Sequence, residues 1–216
     1  MWLFAPARAV LGQVPAPSIA SDTAADSLLV EVGTLAPRIR VDVRYATPDN
    51  FTGAVLPGYE APRVYLRREA AAALARVQHR LEGEGLGLMI WDGYRPVRAS
   101  AGMVAWAERT GRTVLLDSGY VARRSRHNLG LAVDLTLVDL RTGRPLAMGT
   151  DFDDFSEAAR TARATGPVAA NRQRLVQAMA AAGFANYERE WWHFTFGVAG
   201  APPFDRVIRA RGSPPS

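Results

Sequence analysis

Apolar residues recur at Ala70, Leu74, Val77 and Leu81, three or four apart, so residues 67–81 are predicted to form a helix burying one stripe. The Gly-rich stretch 83–87 ends it. The run LGLMIWDGY that follows is almost wholly apolar up to an Asp-Gly turn signal, the pattern of a short buried strand. Helical spacing returns over 98–109, with Gly111 as its stop. LAVDLTLVDL at 131–140 is strand-like and turns at Arg141-Thr142-Gly143. A third helix is expected over 167–182, with Pro167 near its start and Gly183 beyond its end. EWWHFTFGV at 190–198 is aromatic and β-branched, hence a strand, and LLVEVGTLAP from Leu28 alternates like one. Strands and helices mingle without a steady βαβ rhythm. The expected fold is α+β, with helices packed against one antiparallel sheet.

The chain has 216 residues, which suits one domain of ordinary size, placed at 27–211 between an Ala/Pro-rich segment at 1–26 and a short tail at 212–216. Hydrophobic residues make up 48% and charged residues 22%, which excludes a largely disordered chain. The net charge is +5, and every basic residue is Arg. The densest cationic run, Arg123-Arg124-Ser125-Arg126, is too short to argue for a nucleic-acid partner. No apolar stretch is long enough to span a membrane. Ala7-Arg8-Ala9 looks like a small-residue cleavage site, but the apolar stretch before it is short and carries no basic residue in front. A loose tail and a truncated signal segment both fit, so a soluble protein of the cytoplasm or periplasm is expected. Cys is absent, which removes disulfides, thiolate metal sites and Cys nucleophiles.

Chemistry is concentrated around the three histidines. His79 lies between the inward helical positions Val77 and Leu81 and should face water. His127 sits in the loop of SRHNLGLAVDLTL, and Asp134 follows within the strand. Alternation puts Asp134 and Thr136 on one face and Val133, Leu135 and Leu137 on the other. A mid-strand Asp is costly to bury unless it is paired or ligates a cation; otherwise it belongs on the wet face of a half-exposed sheet. His193, in REWWHF, fits either an aromatic core or a site. Strand parity groups Trp191, His193 and Thr195 against Trp192, Phe194 and Phe196, so Glu190 joins His193 only ahead of the regular strand or at a bulge. A catalytic zinc site commonly uses three nitrogen or carboxylate ligands and leaves a fourth position to water. His127, Asp134 and His193 can supply that set, with Glu190 as the general base beside it. In DGYRPVRAS, Pro96 stiffens the turn that displays Arg95, which can donate to an oxyanion or pair with Asp92.

These pieces together resemble the VanX-type D-alanyl-D-alanine dipeptidases, a zinc metallopeptidase family. The resemblance rests on YATPDNFTG at 45–53, DGYRP at 92–96, SRHNLGLAVDLTL at 125–137, MGTDFD at 148–153 and EWWHF at 190–194, in that order. It runs from Tyr45 to Val198, about three quarters of the chain. It implies one zinc ion per chain held by His127, Asp134 and His193, with Glu190 as general base and Arg95 stabilising the oxyanion. Ser125 and Asp153 match positions that hold the substrate's free amino group. Asp153 lies in the acidic stretch DFDDFSE, where a shifted register would substitute Asp151 or Asp154, and Ser125 could equally cap a turn.

The implied activity is zinc-dependent hydrolysis of D-alanyl-D-alanine, a small dipeptide partner, to free D-alanine. Two alternatives remain at this level. One is a zinc D,D-carboxypeptidase or endopeptidase acting on peptidoglycan stem peptides. The other is a non-catalytic, zinc-containing wall-binding module, which would need neither Glu190 nor Arg95.

Overall fold

The computed structural model describes residues 18–212. Strands β2 (Arg40–Val41), β4 (Leu86–Asp92), β5 (Ala132–Asp139), β6 (Phe184–Asn186) and β7 (His193–Phe196) form a five-stranded sheet in the order β2-β4-β5-β7-β6. Only the β2–β4 pair is parallel; the others are antiparallel. Strands β1 (Leu29–Glu31) and β3 (Tyr65–Arg67) make a separate antiparallel pair. Helices α3 (Arg68–Glu82) and α6 (Gly166–Ala180) pack against the large sheet and each other, and α4 (Val97–Arg109) follows the turn after β4. The α+β expectation is met. No helix among the described residues is long and apolar enough to cross a membrane.

The long elements form where their apolar spacing requires. α3 buries Ala70, Leu74, Val77 and Leu81 and leaves His79 exposed, as its period demands. Gln78 is also buried, but its side-chain oxygen accepts from the Leu88 amide at 2.8 Å, which removes the cost of burying it and ties α3 to β4. α6 opens on Pro167, whose fixed φ suits a first turn, and the chain leaves it through Gly183 at φ 95°.

The amino-terminal segment departs from its expected strand. Residues 28–37 contain only the three-residue β1, flanked by the short helices α1 (Asp22–Leu28) and α2 (Val32–Leu35). Ser21 caps α1 by accepting from the Ala24 amide, and Ala25 is fully buried. The helix therefore straddles the boundary expected at 26/27. The possible cleavage site at 7–9 lies outside the described residues. A last short helix, α5 (Val114–Asp117), leads into the loop before His127.

One face of the central strands is wholly apolar: Leu88 and Ile90 of β4 meet Leu137 and Leu135 of β5, all four with no exposed surface. A side chain buried so completely contributes roughly 1.5–3 kcal/mol. The other face carries the chemistry, and a one-residue irregularity in β4 arranges it. Ile90 pairs with Leu135, but Asp92 rather than Trp91 pairs with Asp134. Trp91 is the extra residue of a β-bulge, which re-aims Asp92 onto the face carrying Asp134.

Leu135→Ala should lower unfolding free energy by about 2–5 kcal/mol, since the filled sheet around it cannot collapse onto the void. Urea titration followed by tryptophan fluorescence reads this directly; a loss below about 1 kcal/mol would mean that this face is loosely packed.

Candidate metal centre

His127, Asp134 and His193 come from three separate elements. Residues 126–129 form a 3-10 turn capped by Ser125, whose hydroxyl oxygen accepts from the His127 amide at 3.2 Å. Asn128 completes the cap by accepting from the Ser125 amide, and its side-chain NH2 donates to the Arg95 carbonyl and Ser100 hydroxyl. Gly130 ends the turn at φ 66°, where a Cβ would come within 2.5 Å of the Leu29 side chain, so the tight passage into β5 requires glycine. Asp134 then lies opposite His193 in the β5–β7 register.

The three ligand atoms face one another. His193 Nδ1 is 2.9 Å from Asp134 Oδ1, and His127 Nε2 is 3.2 Å from His193 Nδ1 and 3.3 Å from Asp134 Oδ2. Their tautomers follow from the surroundings. His127 Nδ1 lies 2.7 Å from the Gly93 carbonyl oxygen, which can only accept, so Nδ1 carries the proton and Nε2 presents its lone pair. Two imidazoles and a carboxylate converging in this way form a donor set suited to a divalent transition metal, and a carbonyl holding the far side of a ligating ring is the usual support. Their separations match those of ligands at about 2.0–2.2 Å from a shared tetrahedral ion. Burial alone would raise the Asp134 carboxyl, but its interactions and hydrogen bonds with His127 and His193 hold it well below its ordinary range. Asp134 is only 3% exposed, which rules out the wet-face alternative.

Around this centre lies a cavity of about 300 Å³ lined by Arg95, Ser125, Asp153, Glu190 and the three ligands. Every residue expected at the site reaches it. Glu190 sits in the turn before β7, which resolves the parity conflict: the strand starts only at His193. The same turn corrects the expected faces of the tryptophans. Trp192 lines this cavity and Trp191 a larger one beside it, because neither belongs to the regular strand. Glu190 Oε2 is 3.8 Å from His193 Nδ1. Burial pushes the Glu190 carboxyl up to about 7 against the pull of His193, so it can take up and release a proton near neutrality.

Arg95 makes the expected pair with Asp92. Its Nε and Nη2 donate to Asp92 Oδ2 at 2.9 and 2.8 Å, and Nη2 lies 3.6 Å from Asp134 Oδ2. The guanidinium sits over the Tyr45 ring, and among the described residues Nη1 contacts only the Met103 sulfur, leaving donors free toward the cavity. Sequence reasoning gave no site role to Asp92, Tyr59 or Tyr45. Asp92 is fully buried, accepts from the Tyr59 hydroxyl at 2.5 Å and lies 3.3 Å from His127 Nδ1. Tyr45 donates to Asp153, 3.1 Å from each carboxylate oxygen, and thereby selects Asp153 over Asp151 and Asp154. Tyr45 and Asp92 stand inside the YATPDNFTG and DGYRP segments, so the signal was present without its meaning.

The family model described as "D-ala-D-ala dipeptidase" (Peptidase_M15) matches residues 25–209. The chain belongs to this family. A D-alanyl-D-alanine dipeptidase of Streptomyces coelicolor is 43% identical over 182 residues, covering 76% of this chain and 89% of that protein. Namesakes from Enterococcus faecium and Escherichia coli are 40% and 34% identical, covering 72% and 81% of this chain and 85% and 88% of theirs. The buried Asp92–Arg95 pair ties the guanidinium to the candidate ligand set of His127 and Asp134.

Asp92→Ala should cost about 3–5 kcal/mol in urea unfolding, because it strands the Arg95 charge in the interior. The double variant Asp92→Leu, Arg95→Met should recover part of that loss. A single-variant cost below 1 kcal/mol would show that the pair is effectively solvated.

Proposed function

We propose that the chain is a zinc-dependent dipeptidase that hydrolyses D-alanyl-D-alanine to free D-alanine. The observation that carries this reading is the confinement of three convergent ligand atoms, an acid–base carboxyl and a guanidinium in one small cavity. The cavity is at the low end of ligand-site volumes, which suits a dipeptide. His127, Asp134 and His193 would hold one zinc ion, which when bound supplies Lewis-acid polarisation of the scissile carbonyl and acidifies water.

The chain's own groups do the rest. Glu190 takes a proton from the attacking water and returns it to the departing amine, a shuttle suited to a carboxyl that titrates near 7. Arg95 donates to the oxygen on which negative charge develops, and its bond to Asp92 fixes its orientation beforehand. Asp153, with Ser125 at the cavity wall, receives the substrate's ammonium group. Burial, and after it the Asp134 charge, raises the Asp153 carboxyl well above its ordinary range. An arriving ammonium would offset the cost of ionising that buried carboxyl, whereas an acylated nitrogen would not. This favours a dipeptidase over a carboxypeptidase or endopeptidase. Glu190 and Arg95 on the cavity wall are superfluous to a wall-binding module.

Purified protein loaded with zinc should release D-alanine from D-alanyl-D-alanine and lose that activity on chelation, with recovery when zinc is restored. Full turnover in a metal-stripped sample would refute the mechanism. Glu190→Gln should lower the rate about 10²–10⁴-fold while zinc content by atomic absorption stays at one per chain; near-normal turnover would assign the base elsewhere.

A further inference from the structure

Beside the site lies a second, larger cavity of about 980 Å³, on the face of β4 and β5 that carries Met89, Trp91 and Thr136. Phe51 and Asp153 line both cavities. Phe51 is locked by edge contacts with Tyr45, Trp106 and Phe155. Phe152, next to Asp153, is held by stacking on Trp91. Asp153 is different in kind: at φ 61° it is the one non-glycine residue with positive φ among the described residues. Asp is among the few β-carbon-bearing residues that visit this region, and the Tyr45 hydroxyl on both carboxylate oxygens helps to hold it there. Glycine would adopt this backbone without strain.

We propose that Asp153 is a partition whose side chain closes the catalytic cavity off from a latent extension site for N-acylated D,D-dipeptides. The inference rests on the proposed function, which places the substrate's amino end at Asp153. Any acyl group on that nitrogen must continue past Asp153, and the space on its far side is the larger cavity. Asn50, Thr150, Asp151 and Leu146 on its walls offer the mixed polar and apolar surface that a peptide backbone and side chains need. Hydrolysis of such a substrate breaks the same terminal amide bond, adds one water across it, and releases one amino acid and the shortened acyl peptide.

The test uses zinc-loaded full-length protein with two substrates, D-Ala-D-Ala and a pentapeptide ending in D-Ala-D-Ala. Asp153→Asn removes the charge but keeps the bulk, whereas Asp153→Gly removes both; Asp153→Ala is a second small variant should the glycine chain fail to fold. All three should raise KM for the dipeptide. Relief of the charge alone leaves the wall standing, so Asp153→Asn should gain little on the pentapeptide, whereas the Gly or Ala variant should cleave it at least ten-fold faster than both Asp153→Asn and the parent chain. Adding Ala147→Trp, which fills the larger cavity, should abolish that gain. Equal gain in Asp153→Asn, no gain in either small variant, or a gain that survives Ala147→Trp would overturn the partition. Failure of the parent chain to cleave D-Ala-D-Ala would overturn the underlying function as well, so the two failures are distinguishable.

Discussion

Asp134 is a carboxylate buried in the middle of a sheet, and most of the site's construction answers that one cost. An isolated charge there would carry a penalty of several kcal/mol, which a protein avoids by pairing the group or protonating it. Here the charge is met from separate directions: His193 across the strand pair, His127 from the capped turn, and Arg95 from the turn after β4. His193 reaches it through regular strand pairing, whereas His127 and Arg95 reach it from irregular backbone. The 3-10 turn with its left-handed Gly130 brings in His127, and the irregularity at the end of β4 leads into the turn that carries Arg95.

The bulge at Trp91 creates a second demand and supplies its solution. By shifting the register one place, it sets Asp92 directly across from Asp134, and like charges opposite each other destabilise a sheet. Arg95, three residues on, fills the gap: its Nε and Nη2 both donate to Asp92 Oδ2, and Nη2 lies 3.6 Å from Asp134 Oδ2. A guanidinium so bound keeps little side-chain entropy to lose when a substrate arrives, which is the condition for stabilising a transition state rather than merely binding. Close pairing also serves the metal ligands, since the Gly93 carbonyl that orients His127 belongs to the same turn. A Cβ on Gly93 would fall 2.7 Å from Val64 and 2.8 Å from the Tyr65 carbonyl, so the turn sits where only glycine fits.

Much of this was legible before any coordinates. The spacing of α3, α4 and α6 and the alternation of β5 are local signals, and they placed Asp134 and Thr136 on the face opposite Val133, Leu135 and Leu137. What escaped was non-local or short. A bulge is defined by the partner strand, so nothing in LGLMIWDGY alone shows that Trp91 is supernumerary. Strands of two or three residues such as β1, β2 and β3 are too brief to display alternation. Asp153 sits in an acidic run that reads as solvated loop, and its hydrogen bond to Tyr45 spans 108 positions. Trp191 and Trp192 were assigned faces by a strand that had not yet begun.

The remaining question is how so small a cavity tolerates three carboxyl groups. Asp134, Asp153 and Glu190 line one space, and they cannot all ionise at once without opposing charge. Their environments separate them: Asp134 is held ionised by the imidazoles, while burial raises Glu190 to about 7 and Asp153 well above its ordinary range. Under the proposed function the separation divides the work, with the ionised group suited to be a ligand and the one that titrates near neutrality suited to carry a proton. The third, raised by burial and by the Asp134 charge, has most to gain from a cation brought beside it. Under the proposed function a dipeptide's ammonium would be such a cation and an amide nitrogen would not, so selectivity for a free amino end would follow from the same crowding of carboxyl groups.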